Sequence, residues 1–297
     1  MARRYSTTDR VISALIEDME ATGLYSQKTI AHAREHALLI VPYLDDKTLY
    51  QISPEDVRAI HSRMVTKGLA VATQKSYIHA LRTLLKFVNN PAYNTRIIYQ
   101  ADTRPRVDWL TYNQASAILN ADLPNIQRLV IVMGLCMGLR RVEMVRLKIS
   151  DIDVPNQYVN VIGKGRAGGK LRLVPFHSRF MPALEGWLKD RARIVAKSRT
   201  IPDNVLIWYD RQHHTAEPYN AVKGSGIDGL VRRASKSLGV HFSAHTLRRT
   251  FGRLLWLAGV PVVTIARIMG HSSTEQTLTY IGANLDDMAS ALNKLVL

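Results

Sequence analysis

The sequence predicts a mainly α-helical protein with a small β-hairpin, an α+β fold in two domains. Three observations lead to this prediction. Apolar residues recur every three or four positions through most of the first part, which is the period of an amphipathic helix. Two short β-prone runs flank a glycine-rich turn in the second part. A segment with two prolines and few apolar residues lies between the two parts, so we place the boundary near residues 100–106.

The helices of the first part follow from apolar spacing and from capping residues. The spacing predicts helices over Ser6–Glu20, Ser26–Leu44 and Thr73–Val88. A further helix is expected to begin at Ser53, because a capping serine is followed there by a proline and two acidic residues. Residues 1–103 are therefore predicted to form one helical domain.

Four basic residues fall on the polar side of the last of these helices or on its approach. A solvated surface explains them, and so does a face that follows the phosphates of a nucleic acid. The four residues are Lys67, Lys75, Arg82 and Lys86.

The second part, residues 104–297, mixes helices with strands. A helix is expected to begin at Thr111, and the apolar run Leu129–Leu139 predicts a buried helix. Tyr158–Ile162 and Leu171–Val174 are the strand-like runs of the hairpin. Helices are expected to resume near Arg179, Gly226, Ala244 and Val262, and the tail 283–297 has helical spacing of its own.

Composition and charge narrow the class of protein. The chain has 297 residues, of which 46% are hydrophobic, and its 40 basic and 24 acidic residues give a net charge of +16. Residues 1–103 carry 13 basic and 10 acidic side chains, and the rest carry 27 and 14. Such an excess favours a polyanionic partner, and its concentration in the second part places the main contact there. A nucleic acid is the partner that this charge favours.

The cysteine count and the lengths of the apolar runs exclude several classes of protein. The single cysteine, Cys136, rules out an internal disulfide framework and indicates a reducing compartment, so we expect a cytoplasmic protein. The N-terminus has no apolar segment of the kind found in secretory signals. The longest apolar run has eleven residues, whereas a membrane-spanning helix needs about 20. A membrane function is therefore not expected.

The spacing of residues excludes a nucleotide-binding P-loop and a metal-dependent nuclease site. The glycine-rich turn is not a P-loop, because Lys164 stands where the first glycine should be and Leu171 follows Lys170 in place of a serine or threonine. His213 and His214 lack a carboxylate at metal-ligand spacing, and no set of spaced carboxylates suits a two-metal nuclease. We therefore expect no metal and no other cofactor.

Three further segments carry residues suited to phosphoryl transfer. Arg140 and Glu143 are three positions apart, a spacing that places two residues on one face of a helix. His245 and Arg248 have the same spacing. A glycine-histidine-serine-serine segment at residues 270–273 precedes Tyr280. Each segment by itself is also explained by an ion pair, a core histidine or a packing aromatic.

Taken together and in order, these segments resemble the tyrosine recombinases of the phage integrase and Xer type. The match consists of GLR-x-x-E at residues 138–143, GKG at 163–165, H-x-L-R at 245–248 and GHSS…T-x-x-Y at 270–280. It covers residues 106–281, and the helical first part resembles the core-binding domain of the family. The resemblance implies a C-shaped two-domain clamp on DNA, with a SAM-like helical domain before the catalytic domain.

The resemblance also implies a reaction and the residues that perform it. Tyr280 would attack the scissile phosphate without a metal and form a 3′-phosphotyrosyl link, which conserves the bond energy, so that no ATP is required. Arg140 and Arg248 would hold the non-bridging oxygens, and Lys164 would protonate the 5′-hydroxyl leaving group.

Supporting roles are implied for three more residues. His245 would assist proton transfer with Tyr280, His271 would hydrogen-bond the phosphate, and Glu143 would orient the site. Further contacts to DNA are expected from Lys67, Lys75, Arg82, Lys86, Arg141, Arg166 and Arg249.

In this family four protomers assemble on two duplexes and exchange strands through a Holliday junction, so the resemblance implies a homotetramer on DNA and a monomer or dimer when free. The sequence departs from the family pattern at Arg249, where a histidine is common, at Met269, where a leucine is common, and after the nucleophile at Ile281-Gly282. The tail 283–297 is expected to pack into a neighbouring protomer.

Two alternatives stay open at this point. A non-catalytic DNA-binding protein of helix-turn-helix type would also be basic, and Val262 to Tyr280 superficially resembles that motif. A type IB topoisomerase uses a similar set of residues to relax DNA.

Overall fold

The computed structural model describes residues 2–100, 108–163, 171–219 and 226–282. The chain divides into two compact units, Met1–Arg104 and Pro105–Leu297. Helices dominate both units and two small antiparallel sheets lie in the second, so the predicted α+β fold class is confirmed. Within the described residues, no helix is long and apolar enough to cross a membrane.

Unit 1 is a helical bundle around one apolar core. Its helices are α1 (Ala2–Ala21), α2 (Gln27–Ile40), α3 (Pro54–Thr66) and α4 (Val71–Phe87). The helix α2 packs against α4 and α1, and α3 also packs on α4. The predicted second helix, which was expected to reach Leu44, is too long, because Pro42 lacks a backbone N–H and the chain tightens there into a 3₁₀ turn.

The start of α3 is as predicted. The Ser53 hydroxyl accepts from the backbone N–H of Asp56, and the Asp56 carboxylate accepts from the backbone N–H of Ser53. This capping box satisfies two donors that a helix start otherwise leaves unpaired.

Unit 2 contains eight helices and five strands among its described residues. The helices are α5 (Tyr112–Asn120), α6 (Asn125–Leu135), α7 (Arg141–Arg146), α8 (Phe180–Val195), α9 (Ile227–Ser237), α10 (Ala244–Leu257), α11 (Val262–Met269) and α12 (Thr274–Ile281). The strands are β1 (Ile152–Asp153), β2 (Tyr158–Ile162), β3 (Leu171–Pro175), β4 (Ile207–Asp210) and β5 (Thr215–Pro218).

The helix α6 is the centre of this unit. Every residue from Leu129 to Leu135 is buried, and α8, α9 and α10 pack around the helix. The predicted extension of this helix to Leu139 is wrong. The chain leaves the helix after Leu135 and reaches a left-handed conformation at Gly138 (φ 61°), which glycine adopts at little cost.

The predicted hairpin is present. The strands β2 and β3 pair antiparallel, with Tyr158 opposite Pro175 and Ile162 opposite Leu171, and β1 adds to the free edge of β2. The turn between β2 and β3 lies outside the described residues from 164 to 170. The second hairpin, β4 with β5, was not predicted, because its four-residue strands are too short for a clear alternation.

Candidate active site

The turn after α6 fixes Arg140 at the start of α7. Arg140 is the N-cap residue, with extended backbone angles (φ −73°, ψ 151°), and Glu143 is the third helical residue. The Glu143 carboxylate accepts from the Arg140 backbone N–H at 2.7 Å and from its guanidinium at 2.8 Å. The expectation that these two residues share a helix face is therefore wrong in detail, because Arg140 precedes the helix and Glu143 folds back to it.

Glu143 is the anionic centre of a cluster of arginines. Its carboxylate is fully buried and receives two hydrogen bonds from Arg172, at 2.8 and 2.9 Å, besides the two from Arg140. The guanidinium of Arg248 lies 3.8 Å away. Burial alone raises the pKa of the Glu143 carboxyl, but the hydrogen bonds and charge of Arg172 outweigh it and lower the pKa to about 2.

The C-terminal end of α11 orients the same three arginines. The carbonyl groups of residues 268–270 accept, in order, from Arg172 at 2.8 Å, from Arg248 at 2.5 Å and from Arg140 at 2.7 Å. These carbonyls belong to the end of a helix, where they lack helical partners and where the dipole is negative. The helix end therefore orients the guanidinium groups through neutral acceptors, and each group keeps its positive charge.

Glycine is required where α11 ends. Gly270 has a left-handed conformation (φ 64°) and caps the helix. A Cβ atom at this position would lie 3.1 Å from the Arg172 side chain, so any larger residue would push against that guanidinium.

Arg248 is the most deeply buried arginine of the cluster. It is 2% exposed and also donates to the carbonyl of Gly138. Burial, followed by the charge of Arg140, lowers the pKa of Arg248 to about 10, so that it still carries its charge at neutral pH. A Cβ atom at Gly138 would lie 2.4 Å from the ring of Phe251.

His271 bridges Arg248 and Thr277. Its Nε2 atom lies 3.1 Å from the Arg248 guanidinium, and its Nδ1 atom lies 2.8 Å from the Thr277 hydroxyl. Burial, followed by the charge of Arg248, lowers the pKa of His271 to about 4. The ring is therefore neutral at physiological pH.

Tyr280 lies at the open side of the cluster, near the end of α12. Its hydroxyl is 3.2 Å from Nδ1 of His245, and the two rings are perpendicular with centroids 5.0 Å apart. The guanidinium carbons of Arg248 and Arg249 lie 5.8 and 5.4 Å from the centre of the Tyr280 ring. Burial raises the pKa of the Tyr280 hydroxyl, although both arginines oppose this shift.

The site combines an excess of fixed positive charge with a hydroxyl beside an imidazole. Three arginines surround one carboxylate, and the histidine between them is neutral. Such a site suits a phosphate diester, since guanidinium groups match the geometry of phosphate oxygens. Among the described residues, no group of three His, Cys, Asp or Glu side chains could hold a metal ion.

Six of the seven predicted catalytic residues come together in this site. They are Arg140, Glu143, His245, Arg248, His271 and Tyr280. Lys164, the seventh, lies outside the described residues, as do Arg166 and the tail 283–297.

The other residues expected to contact DNA have varied surroundings. Arg141 pairs with Asp228, and Arg249 lies over the Tyr280 ring. In unit 1, Lys86 is exposed near the end of α4, whereas Arg82 donates to the carbonyl of Thr95 at 2.6 Å.

Two more lysines of unit 1 lie over aromatic rings. The ammonium of Lys67 is 4.5 Å from the ring of Tyr43, and that of Lys75 is 5.4 Å from the ring of Tyr99. Both lysines are exposed, so their charges face solvent. Their contact with DNA stays a prediction.

Sequence reasoning missed Arg172 and Thr277. No sequence signal pointed to Arg172, because the alternation Leu171-Arg172-Leu173 favours buried leucines, whereas the structure exposes both and turns Arg172 to the face of the buried Val174. A charged residue on such a face needs a buried partner. For Thr277 the sequence offered no signal beyond its place in the T-x-x-Y segment.

A family model described as the phage integrase family matches residues 108–286, which include every described residue of the site. The chain belongs to the phage integrase family. The identification as a tyrosine recombinase, an enzyme that breaks and rejoins DNA strands, is thereby confirmed.

Relatives of this phage integrase family member include curated recombinases. A tyrosine recombinase XerC of Bacillus pumilus is 26% identical over 94% of this chain and 93% of its own. A tyrosine recombinase XerA of Saccharolobus solfataricus is 27% identical over 73% of this chain and 65% of its own. These relatives support neither the non-catalytic DNA-binding protein nor the type IB topoisomerase as an alternative.

A solved structure shares the fold of this family member. The integrase of the Tn1549 transposon, in complex with transposon right end DNA, superposes with a TM-score of 0.71 at 20% identity. The match covers 95% of this chain and 98% of the integrase.

Proposed function

We propose that this tyrosine recombinase cleaves each DNA strand by attack of Tyr280 on the scissile phosphate. The observation that carries the proposal is the position of the Tyr280 hydroxyl, 3.2 Å from the His245 imidazole and beside the arginine cluster. A nucleophile, a base and fixed cations thus surround one space.

The bond changes balance without a cofactor. The Tyr280 hydroxyl gives its proton to His245 as its oxygen bonds to phosphorus, and the bond from phosphorus to the 5′-oxygen breaks. The leaving oxygen takes a proton from Lys164, as the family resemblance implies. Reversal with a different 5′-hydroxyl rejoins the strand, and no ATP is needed because the phosphotyrosyl link keeps the bond energy.

The cluster around Glu143 stabilises the charge that develops in this step. Arg140 and Arg248 contact the non-bridging oxygens, and backbone carbonyls hold both guanidinium groups close to the reacting phosphate before DNA binds. Glu143 orients the arginines and does not react. His271 donates a hydrogen bond to the phosphate.

The substrate is double-stranded DNA, and the complex with right end DNA formed by the structurally similar Tn1549 integrase supports this proposal. Unit 1 would contact the duplex as a core-binding domain, with the exposed Lys67, Lys75 and Lys86 near phosphates. Four protomers would act on two duplexes through a Holliday junction, and the free protein would be a monomer or dimer. The reaction would take place in the cytoplasm, where the chromosome is accessible.

Covalent capture tests the proposal. Sheared and randomly nicked DNA from the source chromosome is incubated with the protein, denatured, and searched for protein–DNA adducts whose DNA ends are then sequenced. We expect the unaltered protein to form adducts at a defined sequence through a 3′-phosphate, and Tyr280→Phe to form none while still retarding the same duplex.

Tyr112→Phe is the matched control, because Tyr112 is 73% exposed at the start of α5. It should form adducts as the unaltered protein does. Adducts that persist in Tyr280→Phe, or no adduct on any fragment, would contradict the proposed chemistry.

A further inference from the structure

Thr277 has a hydroxyl that faces two partners and can donate to only one. Its side chain is fully buried at the start of α12. The Oγ1 atom lies 2.8 Å from Nδ1 of His271 and 3.3 Å from the carbonyl oxygen of Ser273. The carbonyl oxygen can only accept, whereas Nδ1 can donate or accept. The single hydroxyl hydrogen therefore goes either to Ser273, with Nδ1 donating to the hydroxyl, or to Nδ1.

The far side of the His271 ring decides between the two arrangements. Its Nε2 atom lies 3.1 Å from the guanidinium of Arg248, which can only donate. Nε2 must therefore accept and carry no hydrogen, and the neutral ring carries its hydrogen on Nδ1. That hydrogen points to Thr277, which gives its own hydrogen to Ser273. This is the one arrangement of hydrogens that satisfies the guanidinium, the imidazole, the hydroxyl and the carbonyl together.

This arrangement has a consequence for the reaction. With its hydrogen on Nδ1, His271 presents a lone pair to the space beside Arg248 and cannot donate to a phosphate oxygen. Burial and the charge of Arg248 keep the pKa of the ring near 4, so protonation does not supply the missing donor at neutral pH. In the free protein, the His271 tautomer can therefore accept a hydrogen bond from Arg248 but cannot donate one to a phosphate.

We propose that Thr277 is a tautomer switch for His271, a positioning residue that acts through the histidine. When a phosphate oxygen replaces Arg248 beside Nε2, the Thr277 hydroxyl rotates from Ser273 to Nδ1 and donates there. The ring loses the Nδ1 proton and gains one at Nε2 by exchange with water, so its charge is unchanged. Nε2–H then donates to the phosphate.

The contact that the switch gives up is a weak one. At 3.3 Å the bond to Ser273 is long for a hydroxyl donor. Ser273 is an exposed residue at the N-cap of α12, so water can replace the hydroxyl as the donor to its carbonyl oxygen. The proposal rests on the proposed function only for the identity of the anion.

Nitrogen NMR of the histidine side chains tests the switch directly. Full-length protein with ¹⁵N-labelled histidine is recorded free, and then bound to the captured duplex in the Tyr280→Phe background; His271→Gln identifies the signals. We expect the Nδ1–H tautomer in the free protein and the Nε2–H tautomer in the complex. The Nε2–H tautomer in the free protein, or an unchanged tautomer on DNA, would overturn the proposal.

Three variants connect the tautomer to the reaction. Thr277→Val keeps the shape and removes the hydroxyl, and we expect covalent cleavage by pre-bound protein to fall about 10- to 100-fold with DNA affinity retained, somewhat less than the loss of a whole oxyanion donor. Thr277→Ser keeps the hydroxyl and should cleave within about threefold of the unaltered protein. Thr279→Val, at an exposed position of the same helix, is the control and should change nothing.

The outcomes separate this proposal from the proposed function. Cleavage by Thr277→Val at the unaltered rate would overturn the switch and leave Tyr280 as the nucleophile. If Thr277→Val fails to fold, the tautomers of the unaltered protein and of Thr277→Ser still decide. An absence of covalent adducts would contradict the proposed function, while the tautomer of the free protein would still test the hydrogen arrangement.

Discussion

The two sides of the site are held in different ways. On the arginine side, a buried carboxylate and three helix-end carbonyls make short hydrogen bonds to Arg140, Arg172 and Arg248. On the nucleophile side, the Tyr280 hydroxyl has a contact of 3.2 Å with His245, an exposed residue. The difference indicates that a buried carboxylate and backbone carbonyls hold the guanidinium groups, whereas neighbouring side chains position the nucleophile.

Removal of the carboxylate should have the largest effect on the arginine side. Glu143→Ala leaves the three guanidinium groups without their shared anion, and loss of one partner in a buried ion pair costs roughly 3–5 kcal/mol. We expect a decrease of that order in the free energy of unfolding by denaturant, together with loss of cleavage.

A matched substitution on the nucleophile side should change the free energy of unfolding very little. Tyr280→Phe removes one hydrogen bond, so the free energy of unfolding should fall by no more than about 1 kcal/mol. Equal losses in Glu143→Ala and Tyr280→Phe would show that the two sides are not held differently.

A smaller loss is expected when the backbone that supports Arg248 is changed. Gly138→Ala places a methyl group 2.4 Å from the Phe251 ring, at a residue with φ 61°. Left-handed backbone costs about 1–2 kcal/mol and overpacking about 1–3 kcal/mol. We expect a loss of roughly 2–5 kcal/mol in chemical unfolding. Gly239→Ala, which has a similar φ of 65° but open space around it, should lose only the backbone part.

The pH dependence of stability should distinguish Glu143 from His271. The folded-state pKa of Glu143 is about 2, below its ordinary value of 4.5, so its contribution is complete above pH 4.5 and is lost as the pH falls towards 2. The folded-state pKa of His271 is about 4 against 6.5, so the unfolded chain takes up this proton first and stability falls between pH 6.5 and 4.

Unfolding curves across pH measure both contributions. Each group adds at most about 1.4 kcal/mol per pH unit within its own window. Glu143→Gln should flatten the profile below pH 4.5, and His271→Gln should flatten it between pH 6.5 and 4. A profile of His271→Gln that matches the unaltered protein in its window would contradict the lowered pKa.

The smallest effect is expected at Arg249, which departs from the family pattern. Its guanidinium lies over the Tyr280 ring and lowers the pKa of that hydroxyl, together with Arg248 and Arg140, against the effect of burial. Arg249→Gln should therefore raise the pKa of Tyr280, and the pH profile of single-turnover cleavage should move upward by a fraction of a unit. A profile that stays in place, with His245 and His271 unchanged, would remove Arg249 from the nucleophile side.

The sequence by itself determined the fold class, most helices and six of the residues that meet in the site. Helices such as α3 and α10 are set by local spacing and by capping residues within a few positions, and the four motifs contain their reactive residues in a fixed order. Local interactions of this kind can be read along the chain, and the resemblance that the motifs carry predicted the six residues that the structure brings together.

Only the tertiary structure decided how those residues are held. The hydrogen bond from Arg140 to the carbonyl of Gly270 joins residues 130 positions apart, and a backbone carbonyl leaves no signature in the residue type. The same holds for Arg172, whose partner Glu143 lies on another element, and for the two-way contact of Thr277. The residue types along the chain indicated which side chains could react. Their positions depend on backbone groups and side chains that meet only in the folded chain.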